Sequence, residues 1–502
     1  MQTEITKQTA CPRLLELLRA VKDAQLLGPV DPEITGMAYD SRRVAPGYLF
    51  VAVRGEVTDG NLYIAQAIER GAAAIVSELA PHSGISAPWV RVRDARLSLA
   101  ALARAYYRDP SHELALIGVT GTKGKTTTTY LVDSVLDVAG KKTCRIGTID
   151  YRLGDETWDA ARTTPEAVDL QALLRRAVTA GCSHAVMEVS SHSLALHRVS
   201  GSRFEIACFT NLSRDHLDYH TDFENYFRAK QMLFVGGEVD GPKLAVVNVS
   251  DSWGKRLRQS LTCSTMTFGL IHRADVRPEV MPESLNPLRF TVQAAGVNLM
   301  IDSRLVGMGN LFNILSTVAI CRGLGIESEA IEQGINRLQG VPGRLELIDC
   351  GQPFTVIVDY AHTDVALENL LLIARGLHPR RVITVFGCGG NRDRTKRPLM
   401  GEIAAKMSDL VIVTSDNPRG EEPAAIIREI EKGIRAVTSK YQRCIDREEA
   451  ITAAIRQAQP DDVVLVAGKG HESYQEFADQ IIPFDDREVC RRLLKKKMEG
   501  AL

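Results

Sequence analysis

Between the apolar run LALIGV (114–119) and the amphipathic stretch TTTTYLVDSVLDVAG (126–140), the chain places Gly121, Thr122, Lys123, Gly124 and Lys125. A buried strand that turns through glycines into a helix aims backbone N–H groups and the positive helix end at one point, which suits phosphate oxygens. Lys125 adds a point charge and Thr126 a hydroxyl near Mg²⁺, so the segment Gly121, Thr122, Lys123, Gly124, Lys125, Thr126 and Thr127 reads as a loop for the phosphates of ATP. The strict G-x-x-x-x-G-K-[ST] spacing has glycine at position 119, where this chain has Val119, leaving a G-x-x-G-K-T variant.

A carboxylate beyond a strand holds Mg²⁺ directly or through water, and Glu188 closes the apolar run in HAVMEVSS. A solvated strand-end glutamate is the plainer alternative. His192, His197, His216 and His220 form a rival set for zinc, the last two at helical i, i+4 spacing. Further along, AHTD, CGGNRDR, DNPRG and GKGHE are polar, glycine-rich clusters, each at the end of an apolar run.

These residues need a scaffold of alternating strands and helices. The first hundred or so residues mix short β-rich runs such as YLFVAV with helical patterns such as ARLSLAALARAYY, and a polar turn at Tyr107-Arg108-Asp109-Pro110 ends them. From Leu114, LALIGV, TCRIGTIDY and HAVMEVSS alternate with helical segments, predicting a parallel sheet with crossover helices. The stretch LRFTVQAAGVNLMIDSRLVG predicts an antiparallel hairpin on its edge. The runs FTVIVDY, RVITVFG, LVIVTSD and DVVLVAG form a second alternating series, a doubly wound sheet whose ligands sit beyond the strands' carboxyl ends. The fold class expected is α/β in three domains: residues 1–110, a small α/β domain; 111–340, a central P-loop ATPase-like parallel sheet; and 341–502, a Rossmann-like domain.

At 502 residues the chain exceeds what one core organises, and a net charge of -1 removes any global pull towards nucleic acid or anionic membrane. Ten scattered cysteines without a C-x-x-C pair fit a reducing cytoplasm and no structural disulfide. No signal peptide or membrane-spanning run is expected, and the chain reads as cytoplasmic.

In order and spacing over nearly the whole chain, GVTGTKGKTTTTYLV, EVSSH, TNLSRDHLDYH with YFRAK, GRLE, VDYAHT and GCGGNRDRTKRPLM resemble the Mur ligase family. DSRRVAPGYLFVAVRG and DNPR are similar to the branch that adds the third residue of the peptidoglycan stem peptide. The resemblance implies an ATP-dependent amide-bond-forming ligase with a uridine-nucleotide domain, a central ATPase and an amino-acid domain. Its partners would be UDP-MurNAc-L-Ala-D-Glu and meso-diaminopimelate, and its cofactors ATP and Mg²⁺. An acyl phosphate would form on the substrate carboxylate and be attacked by the amine. A monomer is expected. The lysine-adding ligase of the same family, and more remotely folylpolyglutamate synthase, are the alternatives.

By the same resemblance, Lys125, Glu188, His216 and Lys230 are catalytic, and Thr126, Glu188, His216 and Lys230 hold metal, Lys230 as a carbamate. Asn310, Arg344 and Asp359 match further nucleotide contacts. Ser41, Glu56, Val57, Thr58, Thr163, Thr164, Ser190 and Arg198 match the uridine-nucleotide substrate, where Ser193 and Leu196 depart from common residues, and Asp364 stands where relatives often have proline after YAHT. Arg392, Asp416, Asn417, Pro418, Arg419, Gly468 and Glu472 match the amino acid. Arg419 answers a difference in charge: diaminopimelate carries a remote carboxylate that lysine lacks, and a bidentate guanidinium pairs with it.

Overall fold

A computed structural model describes residues 11–28, 30–55, 58–81, 87–235, 241–284 and 287–502. The chain divides into two compact units, one of residues 1–278, 292–299 and 312–334, the other of 279–291, 300–311 and 335–502.

The first unit holds two sheets. In the smaller, the strands Gly36–Ala38, Tyr48–Val51, Ala74–Ser77 and Trp89–Arg91 run parallel, and Gln25–Leu27 closes the edge antiparallel to Trp89–Arg91. The helix Ala95–Tyr106 starts where Asp94 accepts the N–H of Leu97, a side-chain N-cap, and its Leu99, Leu102 and Tyr106 bury against this sheet. Ala167 and Val168, from the helix Ala167–Thr179, enter the same core. Around that contact Asp169 accepts from Tyr39 at 2.7 Å and pairs with Arg43 at 2.8 Å, so the two sheets of this unit meet through apolar packing with a charged rim.

The larger sheet sets the phosphate loop at its centre. Its parallel strands are Ser264–Phe268, Leu244–Asn248, Ile206–Phe209, Ala115–Thr120, His184–Glu188 and Thr143–Ile146, in that spatial order. Every residue from Leu116 to Thr120 is buried, as expected of a strand flanked by neighbours and covered on both faces. The run TCRIGTIDY is not one strand: it breaks after Ile146, and Asp150–Leu153 returns antiparallel to form a hairpin with Glu156–Asp159. Gly147 follows the break, and a Cβ there would lie 2.7 Å from Glu188 Oε1. On the opposite edge, LRFTVQAAGVNLMIDSRLVG forms the strands Leu288–Ala294 and Val297–Ser303, and Val292–Ala294 pairs antiparallel with Val276–Pro278.

The second unit is built on the parallel strands Thr355–Asp359, Val463–Ala467, Val382–Phe386 and Leu410–Val413 in spatial order, so the last strand in sequence inserts second. One core packs Leu367, Leu370, Met400, Ile427 and Ile430 on one face, and a second packs Ile451, Ile455, Val489 and Leu494 on the other. All four polar clusters predicted at strand ends lie beyond carboxyl ends of this sheet. Among the described residues no helix is long and apolar enough to cross a membrane.

Candidate active site

The chain leaves the strand Ala115–Thr120 at Gly121 (φ 147°) and enters the helix Lys125–Val138 from Gly124 (φ 87°), both in the region that side chains disfavour. Space is tight as well, since a Cβ at Gly121 would lie 1.9 Å from Thr210 Oγ1 and one at Gly124 2.3 Å from Asn313 Oδ1, and these side chains would have to move. The segment after the strand Ile206–Phe209 clamps the loop from the side. Thr122 N–H donates to Asn211 O (2.9 Å), Lys123 N–H to Asn211 Oδ1 (3.0 Å), and Thr210 Oγ1 donates to Lys123 O (2.7 Å). Thr210 and Asn211 therefore hold the loop's shape, and their signal in the sequence was the TNLSRD stretch.

Lys125 folds back so that its ammonium donates to Gly121 O (2.9 Å) and Thr122 O (3.0 Å). Lys230, from the helix Phe223–Val235, donates to the same Gly121 O at 2.9 Å, with its side chain 1% exposed. Burial and then the Lys125 charge hold the Lys230 amine well below the usual lysine range. It is a core lysine rather than a surface one, the opposite of what its helix spacing alone suggests.

Glu188 ends its strand buried and accepts from three groups: Thr126 Oγ1 (3.1 Å), Thr148 N–H (2.8 Å) and Thr148 Oγ1 (3.1 Å). No lysine or arginine pairs with it among the described residues. The structure thus joins Thr126 directly to Glu188 and sets Lys125 and Lys230 on one carbonyl. Burial pushes the His216 imidazole down to about 4, making it neutral near pH 7. His192 packs edge-on against His216 and His220 at ring distances of 4.8 and 5.4 Å, whereas His197 Nδ1 meets Ser200 Oγ. Among the described residues no group of three or more His, Cys, Asp or Glu is placed to hold a metal, which leaves the four-histidine zinc set without a shared centre.

Close behind Glu188 lie the predicted substrate hydroxyls. Thr164 Oγ1 donates to Glu188 O (2.8 Å) and accepts from Ser190 N–H (3.2 Å), and Thr163 Oγ1 meets Thr148 Oγ1 at 3.0 Å. Arg198 donates to Thr164 O and pairs with Glu166 at 2.9 Å. Ser41 and Thr58 lie in the smaller sheet's domain, Ser41 Oγ donating to Gln66 Oε1 and Thr58 Oγ1 meeting Tyr63 OH. Glu56 and Val57 lie outside the described residues.

In the second unit Asn310 donates to Val306 O, Asp359 accepts from Leu345 N–H, and the Arg344 guanidinium sits 4.7 Å from the Tyr360 ring centre. Beyond the strand ends three loops converge. Asn417 Nδ2 donates to Glu472 Oε2 (2.7 Å), while Asn417 Oδ1 accepts from Lys469 Nζ (3.1 Å) and Glu476 N–H (3.0 Å). Gly468 (φ 119°) lets its backbone pass Asp416, whose Oδ2 would lie 2.5 Å from a Cβ there. The backbone of Pro418 is held by the CGGN turn: Gly390 N–H donates to Asn417 O, and a Cβ on Gly390 would lie 1.9 Å from Pro418 O. Arg392 is exposed, with Nη1 donating to Asn391 O. Arg419 (φ 49°) pairs through Nε with Glu476 (2.8 Å) and through Nη1 with Gly390 O (3.1 Å), an ion pair that DNPR alone did not signal. Lys469 and Glu476 were missed for the same reason: each acquires its role through Asn417, more than fifty residues away in sequence.

The Mur ligase family catalytic-domain model matches residues 33–107, the Mur ligase middle-domain model 119–321, and the Mur ligase glutamate ligase-domain model 343–470. A UDP-N-acetylmuramoyl-L-alanyl-D-glutamate–2,6-diaminopimelate ligase from Solibacter usitatus is 48% identical over 482 residues, covering 96% of this chain and 98% of its own length. One of the same description from Syntrophomonas wolfei is 44% identical, covering 97% of this chain and all of its own. Among solved structures, a 2,6-diaminopimelate ligase of that description is 32% identical with a TM-score of 0.67, covering 93% of this chain and 96% of its own. The MurF ligase from Thermotoga maritima in complex with ADP shares the fold at 19% identity, with a TM-score of 0.62 over 93% of this chain and 98% of its own.

Proposed function

The chain belongs to the Mur ligase family, and from that premise we propose that it joins meso-diaminopimelate to UDP-N-acetylmuramoyl-L-alanyl-D-glutamate with ATP. The reaction runs in two steps. A carboxylate oxygen of the glutamyl residue attacks the γ-phosphorus and ADP leaves, giving an acyl phosphate. An amine of diaminopimelate then attacks the acyl carbon, loses its proton and expels phosphate, leaving an amide.

Phosphoryl transfer is catalysed mainly by positioning and charge neutralisation, and the loop Gly121 to Thr127 supplies both through backbone N–H groups and Lys125. Lys125 rests on two carbonyls of its own loop, from which it can turn to phosphate oxygens. A buried carboxylate without a cationic partner and a hydroxyl bonded to it are oxygen donors suited to a hard divalent cation, and a neutral His216 imidazole adds no charge to repel it. Thr126, Glu188, His216 and a carbamylated Lys230 would hold Mg²⁺, which when bound neutralises charge on the phosphoryl oxygens. The depressed Lys230 amine supports that modification: its lone pair is free to add to CO₂, and loss of a proton leaves an anion.

Thr163, Thr164, Ser190 and Arg198, gathered behind Glu188, are assigned to the uridine-nucleotide substrate together with Ser41, Glu56, Val57 and Thr58. Asn310, Arg344 and Asp359 are assigned to ATP. Residues 1–110, 111–340 and 341–502 serve as the nucleotide-substrate, ATPase and amino-acid domains, and the enzyme acts in the cytoplasm as a monomer.

The observation that carries the amino-acid choice is that one cation, Arg419, and one anion, Glu472, each paired with a different neighbour, stand on two loops joined by Asn417. Diaminopimelate presents a carboxylate and an ammonium on its remote carbon, and Arg392, Asp416, Pro418 and Gly468 shape the space around them. The acyl-phosphate step is tested with ¹⁸O in the reacting carboxylate of the nucleotide substrate. One labelled oxygen is expected in each phosphate released, and unlabelled phosphate overturns the mechanism.

A further inference from the structure

Within the converging loops of the second unit, Lys469 is wholly buried, and its ammonium lies 3.1 Å from Glu472 Oε2 and 3.1 Å from Asn417 Oδ1. The same ammonium nitrogen lies 5.5 Å from the Tyr474 ring centre. A lysine is almost never fully buried unless paired, so the site is built around this charge. The carboxylate of Glu472 is used asymmetrically: Oε2 takes both Asn417 Nδ2 (2.7 Å) and Lys469 Nζ, while Oε1 receives no bond among the described residues.

We propose that Lys469 is a positioning residue for the amino-acid substrate: with Asn417 it fixes Oε2 of Glu472, so that Oε1 is presented to the ammonium on the substrate's remote carbon. The inference rests on the reading that Glu472 and Arg419 form the amino-acid site, and it adds the residue that orders one half of that site. Two physical consequences follow. A carboxylate fixed at one oxygen loses little rotamer freedom when it binds an ammonium at the other. A neighbouring cation also opposes the rise in proton affinity that burial and the Asp416 carboxylate cause. The other titratable groups facing it are Arg447, whose guanidinium is held by Asp486 at 2.7 Å, and the phenols of Tyr360 and Tyr474. Among them Lys469 is the cation bonded to the carboxylate. The same lysine braces Arg419 indirectly, because Asn417 Oδ1 also accepts the N–H of Glu476, the residue whose carboxylate holds the Arg419 Nε.

The test compares Lys469→Met, Glu472→Gln and the double variant by steady-state kinetics of phosphate release, varying each substrate in turn. Lys469→Met is expected to raise the KM for diaminopimelate about tenfold or more, with the KM for ATP within about twofold of the parent. Because loss of the cation raises the proton affinity of the carboxyl further, that KM should fall with rising pH by more than it does in the parent. The double variant should match Glu472→Gln alone, with its excess pH dependence gone, since a positioning residue has nothing left to position. If Lys469→Met is unfolded by stranding Glu472, Lys469→Gln, which keeps a donor without charge, is measured for the same split and pH profile. Should Glu472→Gln raise the KM for diaminopimelate while the Lys469 variants leave it and its pH profile unchanged, the role given to Lys469 is wrong. Equal rises in the KM for diaminopimelate and ATP, insensitive to pH, make Lys469 structural and overturn the proposal too. An unchanged KM in Glu472→Gln itself would instead remove the amino-acid site from these loops.

Discussion

The phosphate loop of the first unit and the converging loops of the second handle charge by different means. In the first, recognition is built from backbone: two glycines hold positive φ, Thr210 and Asn211 clamp the loop, and two lysines rest on one carbonyl. In the second, it is built from side chains already satisfied by one another, with Arg419 on Glu476 and Glu472 on Lys469 and Asn417. A backbone cradle tolerates any phosphate donor of the right shape, whereas prepaired side chains discriminate between amino acids that differ by one charged group. On the function proposed above, phosphoryl transfer belongs to the first unit and the choice of amino acid to the second.

The largest expected effect breaks the first of these. Lys125→Met should lower kcat on the order of 10³-fold by removing the point charge from the transferring phosphoryl group, while the KM for diaminopimelate stays within about twofold. A loss under tenfold would take Lys125 out of the chemistry. The reciprocal change is smaller and falls on the other substrate. Arg419→Ala should raise the KM for diaminopimelate about 10- to 100-fold with little change in that for ATP, and Arg419→Lys should restore only part of it, since an ammonium cannot reproduce the fork. Parallel rises for ATP and the amino acid would mean that the residue is structural.

The smallest effect is on stability. Burial pushes the His471 imidazole down to about 3, so it stays neutral in the folded chain where an unfolded histidine, near 6.5, takes up a proton. Its contribution is complete above about pH 6.5 and declines as pH falls from there towards 3. In thermal unfolding, His471→Gln should flatten this part of the pH profile, and an unaltered slope would show that the imidazole is protonated in the folded state.

The two regions also differed in how far the sequence announced them. The phosphate loop is contiguous, and a strand running into glycines and a hydroxyl-rich helix is a local pattern, so Gly121 to Thr127 could be read directly. The alternating strands of both large sheets were equally legible from their apolar runs. What periodicity could not show was the break after Ile146, because TCRIGTIDY has no strong turn residue beyond Gly147, and the carboxylate beside that glycine comes from Glu188, forty-one residues later. Lys230 is similar: its helix spacing fits a surface lysine, and only the fold places it over Gly121 O. In the second unit Arg419 and Glu472 could be named from residue types matched to a family pattern, but Lys469 and Glu476 gain meaning through Asn417, a tertiary hub with no local signature.

The most direct measurement is phosphate release from ATP with the two other substrates supplied separately and together, meso-diaminopimelate being replaced by L-lysine in a parallel series. The account predicts release that requires both UDP-N-acetylmuramoyl-L-alanyl-D-glutamate and meso-diaminopimelate, with kcat/KM for L-lysine lower by about 100-fold or more. Equal turnover with L-lysine, or release that needs neither partner, would contradict it.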